Sequence, residues 1–264
     1  MLQARGFLRR AGSWPLMALA LILPLLSATV AAEAAAPIAL VHSERTAAAK
    51  ANYPTYEDEY KSAAQWLSNY FAYDVLSDQD VENGKLAGYK LAILPENAVM
   101  SSAHVQALRD FAAAGGKILA VFSTSLRDDQ LKLTGLQLGD LLGVKWVQWS
   151  PDKSFQQIEF IESSPVLAGA PQTVPVSSGS TQLVEVLDNG KVLGVRASSD
   201  GTLAMTNPAV VVESAAGLYV GSPVFAQQLL AGPEMQQLLY AVIKNYAPEA
   251  VKADFQPMSF AGTQ

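Results

Sequence analysis

From Pro37 onward, short uninterrupted apolar runs alternate with segments whose apolar positions recur every three or four residues. Ile38-Ala-Leu-Val-His42 reads as a first buried strand, because an apolar run without polar alternation suits a strand covered on both faces. Between about 55 and 71, the spacing of Tyr56, Tyr60, Ala63, Ala64, Leu67 and Tyr70/Phe71 predicts a helix. Tyr73-Asp-Val-Leu76 is a second strand, and Ser77-Asp78 open a helical turn by capping its free N–H groups. Lys90-Leu-Ala-Ile-Leu94 is a third strand, closed by Pro95. Ser101/Ser102 start a helix with an apolar stripe of Val105, Leu108, Phe111 and Ala112, and Gly115-Gly116 end it. Lys117-Ile-Leu-Ala-Val-Phe122 is the fourth strand. The order β-α-β-α-β-α-β favours a parallel sheet with helices on both faces.

The texture changes after 143. Val144–Trp149, Phe155–Ile161, Gln182–Leu187, Lys191–Arg196, Pro208–Val212 and Leu218–Val220 are short strand-like runs between turn formers. Asp188-Asn189-Gly190 fits a hairpin turn, since Asn-Gly accepts positive φ at both central positions. Pro233–Tyr246 is a helix with Pro in its first turn and Met235, Leu238, Leu239, Val242 and Tyr246 on one side. Val176–Thr181, rich in Ser and Gly, is expected as a flexible loop, and residues 249–264 as a loosely held tail.

Residues 1–32 have the pattern of a secretory signal peptide. Arg5, Arg9 and Arg10 precede an apolar run from Trp14 to Leu26, and Val30-Ala31-Ala32 places small residues before a cut. That run is about 13 residues long where a bilayer span needs about 20, and Pro24 interrupts it. The expectation is therefore export to the periplasm or beyond, with no stable membrane span after cleavage. Loss of the three Arg moves the formal charge from −6 to −9.

Composition narrows the chemistry. Half the residues are apolar and 16% are charged, as in a globular protein. The acidic balance argues against a nucleic-acid partner, which needs a cationic face. With no Cys and two His in 264 residues, a disulfide framework, a thiolate nucleophile and a Cys-ligated zinc site are excluded, and no metal site or cofactor is expected.

Ligands of open α/β sheets sit beyond the carboxyl ends of the strands. Three such ends carry polar residues: Ser43, Glu44 and Arg45 after the first strand, Glu96 and Asn97 after the third, and Ser123, Thr124, Ser125, Arg127 and Asp128 after the fourth. We take these ten residues as a candidate ligand-binding rim. The competing reading for Ser123, Thr124 and Ser125 is ordinary capping of a following helical turn. Ser123 or Ser125 sits where a nucleophile belongs, yet there is no Gly-x-Ser-x-Gly elbow. His42 ends a strand, and His104 lies on a helix whose sequence looks exposed. Glu44, Glu96 and Asp128 offer paired carboxylates for glycoside cleavage if they lie about 5–9 Å apart. Trp146 and Trp149, expected on one face of a strand, suit either sugar stacking or packing in a core or subunit interface.

The stretch from Ala39 to Val144 resembles the β-galactosidase trimerisation domain, a member of the class I glutamine-amidotransferase-like, flavodoxin-like superfamily, in the version found in predicted bacterial glycoside hydrolases. The pieces are Leu40-Val-His-Ser-Glu-Arg-Thr46, Tyr73-Asp-Val-Leu-Ser-Asp78, Leu86-Ala-Gly-Tyr-Lys-Leu-Ala-Ile-Leu-Pro95, Phe111-Ala-Ala-Ala-Gly-Gly-Lys-Ile-Leu119, Thr124-Ser-Leu-Arg-Asp128 and Leu138-Gly-Asp-Leu-Leu-Gly-Val144. Ser164-Pro-Val-Leu-Ala-Gly169, Pro208-Ala-Val-Val-Val212 and Gly217-Leu-Tyr-Val-Gly221 match its later part more loosely.

The resemblance implies one α/β domain over 37–248, a mostly parallel sheet with helices on both faces and β-rich additions in the second half. Amidotransferases of this class place a Cys at the turn after the Gly-Gly strand and a His late in the chain. Phe122-Ser123 occupy that turn here and no His follows 104, so glutamine hydrolysis is excluded by residue type. In the family the domain assists subunit association beside a sugar-binding catalytic barrel. With no barrel ahead of the module, the expectation is an exported, non-catalytic binding or assembly module in carbohydrate or envelope-polysaccharide metabolism. Its expected partners are a carbohydrate ligand, copies of itself in a trimer, or a glycoside-processing or envelope protein. A weak glycoside or ester hydrolase using the strand-end acids and Ser123, and a scaffold for an envelope complex, are the alternatives.

Overall fold

The computed structural model describes residues 36–176 and 180–253. The signal-peptide segment, most of the Ser/Gly-rich loop and residues 254–264 lie outside the described residues. The first half follows the sequence pattern closely: β1 (Ile38–His42), α1 (Glu44–Ala48), α2 (Tyr56–Tyr70), β2 (Tyr73–Ser77), α3 (Asp78–Glu82), β3 (Leu91–Pro95), α4 (Ser102–Ala113) and β4 (Lys117–Val121). Of these, only α1 stands where a loop was expected. The second half adds β5 (Val144–Ser150), β6 (Gln157–Phe160), β7 (Thr173–Pro175), β8 (Thr181–Val186), β9 (Lys191–Ala197), β10 (Ala209–Ser214), β11 (Gly217–Val220), α5 (Gln227–Leu230) and α6 (Pro233–Tyr246).

Nine strands form one mixed sheet in the order β2-β1-β3-β4-β11-β10-β9-β6-β7. The five strands from β2 to β11 are parallel, and the remaining neighbours pair antiparallel. Alternation along each strand sorts side chains between two cores. Ile38, Leu40, Leu91, Ile93, Leu119 and Val121 face α2 and α6. Ala39, Val41, Ala92, Leu94, Ile118 and Ala120 face α4, whose Val105, Leu108 and Phe111 cover them. The architecture is the expected α/β sheet with helices on both faces. β11 reaches β4 through Gly217, whose φ is +143° and which lies against the Ile118 backbone with no room for a Cβ.

Three local expectations are corrected. Asn189-Gly190 does not close a hairpin, because β8 pairs with β5 while β9 pairs with β10 and β6. Neither residue has positive φ. Gly190 instead packs directly on the backbone of Gly143, a contact that fixes its size rather than its torsions. The turn after β4 leads to no helix: residues 126–143 run as turns and extended backbone. The start of the expected tail is held, since Ala72 N–H donates to Ala250 O and Lys252 N–H to Tyr70 O.

The pair β5–β8 stands apart from the main sheet and covers its α4 side through Val144 and Val184. Trp146 and Trp149 are an odd number of positions apart, which in a regular strand would put them on opposite faces. A bulge between Trp146 and Gln148 restores the phase, so that Trp146 lies opposite Val184 and Trp149 opposite Gln182. No helix among the described residues is long and apolar enough to cross a membrane.

Candidate functional site

The carboxyl ends of the parallel strands carry two polar clusters rather than one rim. The first lies beyond β1 and β2. Ser43 caps α1 by accepting from Thr46 N–H, and its hydroxyl also donates to Asp78 Oδ2. The backbone N–H of Arg45 donates to the same oxygen at 3.0 Å. The Arg45 guanidinium lies 3.5 Å from Asp78 and 2.8 Å from Glu82. Glu44 accepts from the Asp78 N–H. His104 is not the surface residue its helix suggested: it is completely buried, with Nδ1 3.2 Å from Asp78 Oδ1. Burial pushes the Asp78 pKa up, but the contact with His104 and the Arg45 amide outweigh it and hold the carboxyl below its ordinary range. His42, at the end of β1, packs at a tilt against Tyr60, with ring centroids 4.4 Å apart, and meets Glu57 at 3.0 Å.

The second cluster lies beyond β3 and β4 and opens into a cleft of about 460 Å³, lined by Tyr53, Glu96, Ser123, Arg127, Trp149 and Gln182 among others. Two residues at the strand ends hold positive φ without being glycine, Glu96 at +55° and Phe122 at +53°. Such backbone strain is concentrated at functional sites. A directed chain of hydrogen bonds crosses the floor. Trp146 Nε1–H donates to Gln182 Oε1 at 2.7 Å, and Gln182 Nε2–H donates to Ser123 Oγ at 3.0 Å. The Ser123 hydroxyl also lies beside the Glu96 carboxyl and lowers its pKa, against the larger raising effect of burial. Arg127 donates to the Tyr53 hydroxyl and to Leu131 O.

Glu96 is 3% exposed and Glu59, on α2, is 6% exposed. Burial raises both carboxyl pKa values, to about 7 for Glu96 and about 9 for Glu59, and the charge of Glu96 raises Glu59 further. Tyr53 is also pushed up, first by burial.

The candidate residues therefore divide. Glu96, Ser123 and Arg127 come together at the cleft, whereas Ser43, Glu44 and Arg45 belong to the Asp78 cluster. Asn97 donates to Val41 O, and Thr124 to Leu94 O and Val121 O. Ser125 Oγ accepts from Leu138 N–H, and Asp128 caps an exposed turn through Gln130 and Lys132 N–H. These four hold loops together. Sequence reading missed Glu59, Tyr53 and Gln182. Glu59 sits within the buried stripe of α2, three residues after Tyr56 and four before Ala63, and an acid at that spacing was the available signal. Gln182 reaches the cleft only through strand pairing, so no local pattern marks it. Among the described residues, no group of three or more His, Cys, Asp or Glu is arranged to hold a metal ion.

Residues 36–249 match the family model of the β-galactosidase trimerisation domain. No curated protein sequence matches the chain. Among solved structures, a GH42 β-galactosidase from G. stearothermophilus superposes with a TM-score of 0.55 at 14% identity over 74% of this chain and 29% of its own. A β-galactosidase from Bacillus circulans gives 0.59 at 16% identity, over 74% and 30%. A ThuA-like protein from Bacteroides uniformis gives 0.61 at 13% identity, over 83% of this chain and 94% of its own. This chain thus spans under a third of the β-galactosidases it resembles and nearly the whole of the ThuA-like protein. At such identities the likeness carries the fold alone, and the ThuA-like neighbour shares the α/β architecture over 83% of this chain. The match of sequence to the family model over most of its length is independent of that superposition, and by it the chain belongs to the β-galactosidase trimerisation domain family.

Proposed function

We propose that the chain is an exported, non-catalytic module of carbohydrate or envelope-polysaccharide metabolism that binds a glycan in the strand-end cleft and assembles with copies of itself. The observation that carries the reading is the cleft itself: Trp149, 51% exposed, and the half-open Arg127 stand at a pocket lined with hydrogen-bonding side chains. An aromatic face with polar groups around it suits a sugar, which presents C–H faces and hydroxyl edges. Assembly is supported by the family, whose members in β-galactosidases are trimerisation domains. Export is supported by residues 1–32 alone.

Absence of catalysis is supported by the residues at the amidotransferase position. Phe122 and Ser123 stand there, Ser123 Oγ accepts from Gln182, and both His side chains meet acids elsewhere. Titration of Trp fluorescence with a glycan panel tests binding: a saturable change that Trp149→Ala removes is expected, and no change at about millimolar ligand overturns it. Light scattering on the eluting protein tests assembly, with a trimer expected and a monomer at all concentrations refuting it. Mass spectrometry of the exported protein should find Glu33 as its first residue. The nearness of Ser123 to Glu96 favours the hydrolase alternative to one extent only, in that it sets a hydroxyl beside an acid that could serve as a base. Turnover of chromogenic esters or glycosides that is lost in Ser123→Ala would replace the non-catalytic reading.

A further inference from the structure

Glu96 follows β3 and lies in the wall of the strand-end cleft, where it and Arg127 are the charged side chains. It is almost wholly buried, and its Oε2 is shut off from solvent with no hydrogen-bond partner. Among the described residues no Lys, Arg or His forms an ion pair with it. A buried carboxylate oxygen left without a donor is costly, and most such groups in folded proteins have a partner. The donors around it are committed elsewhere. Asn97 Nδ2–H donates to Val41 O, the Thr124 hydroxyl is bonded to Leu94 O and Val121 O, and Gln182 Nε2–H donates to Ser123 Oγ. Arg127 uses Nε–H on the Tyr53 hydroxyl and Nη1–H on Leu131 O. The left-handed backbone of Glu96, with φ at +55°, also sets a residue with a Cβ where glycine would be easier. The fold therefore accepts backbone strain to keep this acid at the cleft and supplies no cation for it.

We propose that Glu96 is the ammonium-binding group of the cleft and makes the site selective for amino sugars over neutral ones, an inference that rests on the glycan-binding reading. A hydroxyl would give the carboxyl a hydrogen bond alone, whereas an ammonium gives the bond and the opposite charge. The last torsion of a Glu side chain is soft, so rotation of the carboxyl brings its unpartnered oxygen to a donor entering the cleft. Burial raises the pKa of Glu96 to about 7, and an arriving ammonium replaces the proton that burial favours. The remaining walls fit the same ligand. Trp149, half exposed, offers a ring face to the C–H side of a sugar, and its π electrons attract a cation held nearby. Arg127 is partly exposed, so solvent screens its charge more than it screens that of Glu96. The acidic balance of the whole chain, −6, also draws cations toward it.

Trp fluorescence titrations of the full chain at about pH 7, where an amine is largely protonated, test the assignment. The ligands are glucosamine, glucose and N-acetylglucosamine. Glucose puts a hydroxyl in place of the ammonium, and N-acetylglucosamine keeps the nitrogen without its charge. Glucosamine is expected to bind about tenfold more tightly than either. In Glu96→Gln, which keeps the size of the side chain, glucosamine should weaken about tenfold while glucose stays within about twofold. Glucose binding as tightly as glucosamine to the wild-type protein overturns the ammonium site and leaves the glycan reading standing, and this comparison needs no variant to fold. Unchanged glucosamine affinity in a Glu96→Gln protein with a native circular dichroism spectrum overturns it as well. If none of the three sugars changes the fluorescence at about millimolar concentration, the glycan reading falls and the ammonium site falls with it.

Discussion

The two strand-end clusters are built from the same kinds of residue and solve opposite problems. Beyond β1 and β2, Asp78 receives two backbone or hydroxyl donors and lies against Arg45 and His104. At β3 and the neighbouring α2, Glu96 and Glu59 are buried, and each has a carboxyl oxygen with no hydrogen-bond partner. Both pairs of loops follow parallel strands, so position alone does not mark a site. What differs is whether burial is compensated: a paired acid fixes structure, and an unpaired one keeps a proton near neutral pH. Compensation in the first cluster is not complete: Asp78 Oδ1, Arg45 Nη1 and both ring nitrogens of His104 have no hydrogen-bond partner, and what offsets them is the Arg45–Asp78 and His104–Asp78 ionic contacts. Its net charges are nonetheless opposed, which the second cluster lacks.

Removing Asp78 gives the largest effect that the comparison predicts. Asp78→Ala strands the buried His104 and the Arg45 guanidinium, and urea unfolding should show a loss of about 3–5 kcal/mol. A loss below about 1 kcal/mol would mean that this cluster is no more structural than the other.

The pH dependence of the two clusters should run in opposite directions. Asp78 has a folded pKa below its ordinary value, so its contribution is present above that value and disappears as pH falls through the folded one. Glu59 and Glu96 have raised folded values, so their contribution is full below about 4.5 and declines as pH rises toward about 7 and 9. Melting curves over about pH 3–9 should therefore show Asp78→Asn flattening the acid side and Glu59→Gln flattening the alkaline side. At about pH 8, Glu59→Gln should melt higher than the wild type by roughly 5 °C. Identical changes in both variants would erase the distinction.

Gln182→Ala is expected to cost about 1–3 kcal/mol, because it leaves Trp146 Nε1 without its acceptor and Ser123 without its donor. Thermal denaturation measures it, and Gln182→Glu, which keeps the acceptor but not the donor, should recover only part. Trp149→Ala should change stability by no more than about 0.5 kcal/mol, since the ring is half exposed, while abolishing the glycan response. A large stability loss there would make Trp149 a packing residue instead.

The first half of the fold was legible because its elements are locally determined. The apolar runs of β1, β3 and β4, the caps Ser77 and Ser101, and the stripe of α4 each carry their own signal within a few residues. The site was legible only at Glu96, Ser123 and Arg127, whose place after a parallel strand marks them. Asn189-Gly190 shows why the second half was harder. A favourable hairpin dipeptide was overridden when its two flanking strands found partners in different sheets, and Gly190 was kept for contact with Gly143.

By itself the sequence determined the α/β order, the parallel half of the sheet and the absence of thiol chemistry, because strand, helix and residue type are encoded over a few neighbours. The tertiary structure alone decided that Ser43, Glu44 and Arg45 turn to Asp78 rather than to the cleft, and that His104, Glu59 and Glu96 are buried. Those outcomes depend on which side chains burial brings together across tens of residues. A charge has no fixed meaning until its neighbours, and the water it has lost, are known.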